Sequence, residues 1–480
     1  LYRTLTIYCF STSQLHLLAL FTIGLGIMTS SPQTVTQESS QQLPRLRVLL
    51  LNDQCNPDWP SLPILGHRFA STISHHVDAV VATQIRNKPN IDRAGIGNAE
   101  VVYLDTEKVA APVARLAWLL RGGKTTAWTT QVAMDYPSYL TFEMAAWEHF
   151  KQDLLNGRFD LVHRVTPMSP TLPSFIAKRC PVPFLVGPLN GALPWPSYFK
   201  SELLREHEWL TYFRNAYKFL PYSRDTYKYA KGILAAHAHT IQDLPADAQS
   251  KIVNFPETGF DPAKFSMPVR EKRDRLTILF AGRLVPYKLP EVVVRAFAAS
   301  PTLQKHRLVI IGDGPERPRL EEIIKTHHLD GCVELINSVP YSQFPSVLQQ
   351  ADIFAFPSIR ELGGGALIEA MAVGLACVVV DYGGPGVFVD QDRGIKVPLG
   401  DLNQVTQSYT TALEQLVNNP DQVTKLGQAA HEHVLRYYAW DAKAKKMLEV
   451  YNWLVGRSPV KPNYWDQPPL AISHPSLVQG

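Results

Sequence analysis

The sequence lacks the features that mark several protein classes. Cysteine is scarce: five in 480 residues, at positions 9, 55, 180, 332 and 377, with no CxxC pair and no histidine-paired spacing. That excludes a disulfide framework and a Cys/His zinc site, and a reducing cytosol is the natural compartment. Cys377, inside the apolar run "ACVVVD", reads as a small hydrophobe. Dense Lys/Arg runs are also missing. The formal charge of +4 spread over 480 residues describes a mildly basic solvated surface and no nucleic-acid partner. No apolar run reaches the roughly 20 residues of a membrane span. The stretch from Leu17 to Met28 is short for one, has a single Arg upstream, and is followed by no clear small-x-small cleavage site. Residues 1–44 are therefore expected to be a disordered or mis-assigned extension, with Met28 the true start and a signal or anchor segment the competing reading. No strand carries a full G-x-G-x-x-G followed by an acidic residue on the next strand, which disfavours a dinucleotide-dependent dehydrogenase.

What is present is an alternation of buried strands and longer helical stretches. At 45% hydrophobic and 19% charged residues, the chain is globular and long enough for two or three domains. "RVLLLN", "AVVATQ", "EVVYLD", "FDLVHRV", "PFLVG", "GILAA" and "KIVNF" are short apolar runs of the kind buried on both faces of a parallel sheet. Helical segments lie between several of them, such as 138–157, which ends on a C-capping glycine. Residues 254–276 are rich in Pro and charge, have no periodicity and read as a linker. A second series follows: "LTILFAGR", "HRLVIIGDG", "CVELI", "IFAFPS" and "CVVVDYGG". The expected architecture is α/β, two doubly wound Rossmann-like domains facing across a cleft, with ligands at the carboxyl ends of the strands. The boundaries are 45–255 and 276–435 for the two domains and 256–275 for the linker. A C-terminal helix, 436–456, packs back on the first domain, and a flexible tail covers 457–480.

The strand ends carry the chemistry. "FAGRLVPYK" places Arg283 and Lys288 after Gly282 in a strand-to-helix turn. A guanidinium fork and an ammonium point charge suit a diphosphate, although a loop Arg and Lys are as a rule solvated surface. "IIGDGPE" supplies Gly312 and Gly314, a tight turn open to a ligand or a plain βα turn. In "RELGGGALIEAMAVG", Gly363, Gly364 and Gly365 precede a helix start whose free N–H groups and dipole favour an anionic oxygen. Glu361 and Glu369 flank it. Each carboxylate can accept from vicinal sugar hydroxyls; the plainer alternatives are a buried salt bridge for Glu369 and a helix-entry acid for Glu361. In "VGPLNGALPWP", Asn190 and Gly191 are candidates to line the cleft. Asp390 and Asp392 read as a polar turn, not a metal site.

Taken in order, "FAGRL…K", "LVIIGDGP", "ADIFAFPS", the glutamate pair seven residues apart and "DYGGPG" resemble the donor-site signature of the retaining glycosyltransferases of family four, which have the GT-B fold. "FDLVHRVTPMSPT" and "GPLNGALPWP" extend the resemblance more loosely into the first domain. The resemblance implies that Arg283 and Lys288 bind the donor diphosphate, Glu369 the nucleotide ribose and Glu361 the donor sugar. Gly363 to Gly365 would line sugar and phosphate, and Gly312 and Gly314 would admit the nucleotide. His163 would face the donor sugar, though many relatives carry His-x-His there and this chain has Val165 at the second position.

The implied reaction is retaining transfer of a hexose from a nucleotide sugar to a glycan or lipid-linked hydroxyl acceptor, with front-face departure of the diphosphate. It needs no cofactor and no metal, because the two cations supply the leaving-group charge. By family analogy the work is polysaccharide or glycolipid assembly in the cytoplasm, peripheral at the inner membrane face. The aromatic segment 195–229 is a candidate for the membrane contact, although packing on the sheet accounts for it better. A GT-B sugar-nucleotide epimerase and a non-catalytic nucleotide-binding protein remain the alternatives.

Overall fold

The computed structural model describes residues 44–120, 128–206, 217–270 and 273–465. The extension 1–43, the middle of the aromatic segment (207–216) and the tail from 466 lie outside the described residues. Among the described residues thirteen parallel strands form two sheets. The first contains β1 (Arg47–Asn52), β2 (Asp78–Gln84), β3 (Glu100–Leu104), β4 (Leu161–Thr166), β5 (Phe184–Leu189), β6 (Gly232–Ala235) and β7 (Ile252–Val253), in the order β3-β2-β1-β4-β5-β6-β7. The second contains β8 (Thr277–Ala281), β9 (Arg307–Ile311), β10 (Val333–Ile336), β11 (Ile353–Phe356), β12 (Ala376–Val380) and β13 (Gly394–Val397), in the order β10-β9-β8-β11-β12-β13. Every strand pairing within these sheets is parallel. The chain therefore crosses over between neighbouring strands, and helices cover the faces. In each sheet the order reverses beside the first strand, between β1 and β4 and between β8 and β11. That leaves a crevice at the carboxyl ends, where open α/β sheets take ligands.

The apolar runs quoted above coincide with twelve of the strands. The unforeseen one, β13, is four residues with only its ends buried, too short and too exposed to show a pattern. The helix Trp128–Leu155 starts ten residues before the expected position. It ends at Leu155, and just past it Gly157, with a φ of 72°, allows Arg158 N–H to close on Asp153 O at 2.9 Å. The C-terminal helix expected over 436–456 is Trp440–Leu454, and a separate helix, Pro420–Tyr437, precedes it. The two are divided where the backbone at 438–440 pairs with Phe260: Phe260 N–H donates to Tyr438 O and Trp440 N–H to Phe260 O. The helix Trp440–Leu454 then lies against the helix Leu62–Ile73 beside the first sheet.

Each sheet buries its own apolar layer. A third cluster joins strand residues such as Val48 and Val379 to Phe255, Phe260 and Phe265. The stretch after β7 is thus packed over its first dozen residues and does not behave as a solvated spacer.

Candidate functional site

The crevice of the second sheet gathers the cations and one of the two glutamates. After β8 the chain turns at Gly282 (φ 155°), where a β-carbon would stand 3.3 Å from the Lys288 stem. Glycine here lets the lysine fold back over the strand end. The Lys288 ammonium lies 5.0 Å from the Phe356 ring centroid at the end of β11 and hydrogen-bonds Glu361 Oε1. The two side chains are 12% and 21% exposed, so solvent screens this ion pair far less than a surface one. Arg283 is exposed and donates to the Tyr287 hydroxyl, its guanidinium 5.9 Å from that ring. Lys288 stands 5.8 Å from the same ring. Arg283 and Lys288 thus share one aromatic support and form a positively charged lip.

The glycine-rich loop follows directly. Gly364 is left-handed (φ 50°) and caps the helix Gly365–Ala372 without any side-chain cap, so its first N–H groups face outward. A β-carbon on Gly365 would meet nothing within 4 Å, which leaves open space beside the helix start. On Gly363 it would stand 2.8 Å from both Glu257 Oε1 and Thr258 Oγ1. Glu369, one turn into the helix, accepts from the Tyr341 hydroxyl. Desolvation pushes its carboxyl up to about 7 despite that bond. Glu369 is half-buried, and among the described residues it forms no salt bridge.

Gly312 and Gly314 pack against the neighbouring turn. A β-carbon on Gly312 would sit 1.9 Å from Gly282 O, and one on Gly314 2.3 Å from Leu284 O. Glycine at both positions lets the two backbone turns touch. His163 does not face the cleft. It is fully buried, with Nε2 2.7 Å from Gly187 O and Nδ1 2.7 Å from the Tyr451 hydroxyl. Burial holds its pKa down to about 3, so the ring is neutral. Because a carbonyl only accepts, Nε2–H donates to Gly187 and Nδ1 accepts from Tyr451. His163 is a structural residue tying the helix Trp440–Leu454 to β4. Asn190 and Gly191 sit half-buried at the edge of the first domain. The Asn190 amide donates to Glu257, and both backbone groups of Gly191 bond the Thr240 hydroxyl. Asp390 pairs with Arg393 in a tight turn.

Two features escaped the sequence reading. One is Glu257, taken up below. The other is a cavity of about 350 Å³ at the carboxyl ends of β1 and β2, lined by Asp53, Trp59, Gln84, Arg86 and Asn87 among others. Gln84 donates to Asp53 at 2.7 Å, and burial raises the Asp53 carboxyl. Arg86 pairs with Glu107 through Nε and leaves Nη2 buried without a hydrogen-bond partner among the described residues. Trp59 is 42% exposed. An aromatic face beside carboxylate and amide groups suits a hydroxyl-rich ring.

Two doubly wound sheets with cations and carboxylates gathered at the strand ends define the GT-B class. Solved structures agree with that architecture. Alr3699/HepE from Anabaena, in complex with UDP and glucose, superposes with a TM-score of 0.53 over 84% of this chain and 99% of its own, at 14% identity; this is a likeness of fold. Residues 263–433 match the family model described as glycosyl transferases group 1. Among curated relatives, the phosphatidylinositol N-acetylglucosaminyltransferase GPI3 subunit of Saccharomyces cerevisiae is 24% identical over 41% of this chain and 43% of its own length. A D-inositol 3-phosphate glycosyltransferase of Saccharomonospora viridis is 30% identical over 37% of this chain and 43% of its own. The chain thus spans under half the length of these relatives. No helix among the described residues is long and apolar enough to cross a membrane.

Proposed function

We propose that this chain transfers a hexosyl group from a nucleoside-diphosphate sugar to a hydroxyl acceptor, with retention at the anomeric carbon. The observation that carries the reading is the shielded Lys288–Glu361 pair at the crevice of the second sheet, beside Arg283 and the open helix start at Gly365. A diphosphate placed there meets the Arg283 guanidinium, the Lys288 ammonium and the helix N–H groups. Glu361 is held at the same point, where a sugar attached to that diphosphate would present its hydroxyls. Glu369, beyond the glycines, accepts from the ribose.

In the reaction the bond from the anomeric carbon to the diphosphate oxygen breaks, and a bond to the acceptor oxygen forms on the same face. The acceptor proton passes to the departing phosphate oxygen. Charge grows on the diphosphate as it leaves, and fixed cations in a shielded crevice stabilise it without reorganising. Arg283 and Lys288 supply that charge in this proposal, without a metal. The acceptor occupies the first domain's cavity, with a polyol ring against Trp59; the inositol-bearing acceptors named for the relatives are of this chemistry. Glycan or glycolipid assembly in the cytoplasm, peripheral to a membrane face, is the setting we favour.

A thermal-shift panel of UDP-glucose, UDP-N-acetylglucosamine and GDP-mannose tests the reading. At 100-fold excess over Kd, binding adds about 2.7 kcal/mol to stability, a rise of several degrees in melting temperature. No shift with any of the three would contradict it.

A further inference from the structure

Glu257 lies in the stretch "PETG" that leads from the first sheet to the second, and its side chain is 1% exposed. A carboxylate buried that deeply is tolerated only with partners, and each of its partners comes from a different element. Oε1 accepts from the Asn190 amide, just past β5. Oε2 lies 3.3 Å from His237 Nε2, just past β6. The neighbouring carbonyl, Pro256 O, accepts from Lys443 of the C-terminal helix, itself 1% exposed. Across from these, Glu257 Oε1 occupies the space into which any side chain at position 363 would project. The other nitrogen of His237, Nδ1, has no hydrogen-bond partner among the described residues, so the bond to Glu257 fixes the ring. That ring meets Phe388 edge-on, with centroids 5.9 Å apart, and Phe388 Cε2 stands 3.1 Å from the β-carbon position of Gly364.

Two routes therefore run from one buried carboxylate to consecutive glycines of the loop: directly to Gly363, and through His237 and Phe388 to Gly364. Among the described residues, neither route includes Arg283, Lys288 or Glu369. We propose that Glu257 is a positioning residue that sets the sugar end of the donor site, locking the glycine-rich loop in register with the β5 and β6 ends of the first domain. The inference rests on reading the crevice as a nucleotide-sugar site. Because Arg283, Lys288 and Glu369 lie outside the cluster and the diphosphate shares with it only the helix start after Gly364, loss of Glu257 impairs recognition of the sugar far more than recognition of the nucleotide.

Calorimetric titration of the full chain separates these. Wild type, Glu257→Gln and Glu257→Ala are each titrated with UDP and with UDP-glucose, or with GDP and GDP-mannose if that pair is the one bound. For Glu257→Ala we expect affinity for the nucleotide sugar about tenfold weaker and kcat about a hundredfold lower, with free diphosphate affinity within about twofold of wild type. Glu257→Gln, which keeps the shape and one acceptor, falls between. Wild type that binds neither diphosphate nor nucleotide sugar overturns the functional reading and this inference with it. Wild type that binds both, with variants that weaken both equally or neither, overturns this inference alone. If Glu257→Ala shows no cooperative melt, Glu257→Gln decides by the same ratio.

Discussion

Glu369 gives the sharpest pH test of the site. Desolvation raises its carboxyl to about 7, while accepting from two ribose hydroxyls requires the ionised form. With a pKa near 7, about one carboxyl in eleven is ionised at pH 6 and about ten in eleven at pH 8. If only the carboxylate engages the ribose, affinity for a nucleotide sugar falls about tenfold from pH 8 to pH 6. UDP-glucose is the right probe, because its diphosphate diester does not titrate in this window. The folding linkage runs the other way. A carboxyl whose folded pKa is raised favours the fold below its unfolded pKa, near 4.5, and that contribution is lost as pH rises through about 7. Acidification should therefore weaken binding while this group's effect on the melting temperature is favourable, which separates the two effects. Glu369→Gln should bind weakly with a flat profile. A wild-type affinity equal at pH 6 and pH 8, or a slope that persists in Glu369→Gln, would refute the reasoning.

Two further outcomes follow from the same geometry. Lys288→Ala removes a leaving-group cation and strands Glu361, so kcat should fall about 10²–10³-fold in a steady-state transfer assay; turnover within threefold of wild type would contradict the assignment. His163→Ala leaves the Tyr451 hydroxyl and Gly187 carbonyl unsatisfied, at a cost of about 1–3 kcal/mol each. Chemical denaturation should show that loss, while calorimetry shows nucleotide-sugar affinity within about twofold of wild type.

The fold was legible because strands buried on both faces write continuous apolar runs, and only the half-exposed β13 did not. The cluster of Arg283, Lys288 and Glu361 was legible because each follows a strand end of one sheet. What the sequence concealed are partnerships across long separations. His163 looked like a cleft residue because nothing near it in the chain discloses Tyr451, 288 positions away, as its partner. Glu257 sat in a Pro-rich aperiodic stretch that reads as spacer, and Asn190 and His237 converge on it only once β5 and β6 are laid side by side. Gly312 and Gly314 left a ligand opening and a plain βα turn equally open, because a glycine's need for space does not say whether a nucleotide or another turn fills it.

The central claim is that the crevice at Lys288 and Glu361 performs glycosyl transfer. The most direct measurement is NMR of the products when the full chain is incubated with the nucleotide sugar that it binds and a polyol acceptor. The account predicts release of the nucleoside diphosphate together with a new glycosidic bond of the same anomeric configuration as the donor. An inverted linkage, an epimerised nucleotide sugar without transfer, or no turnover from a chain that binds the donor would contradict it.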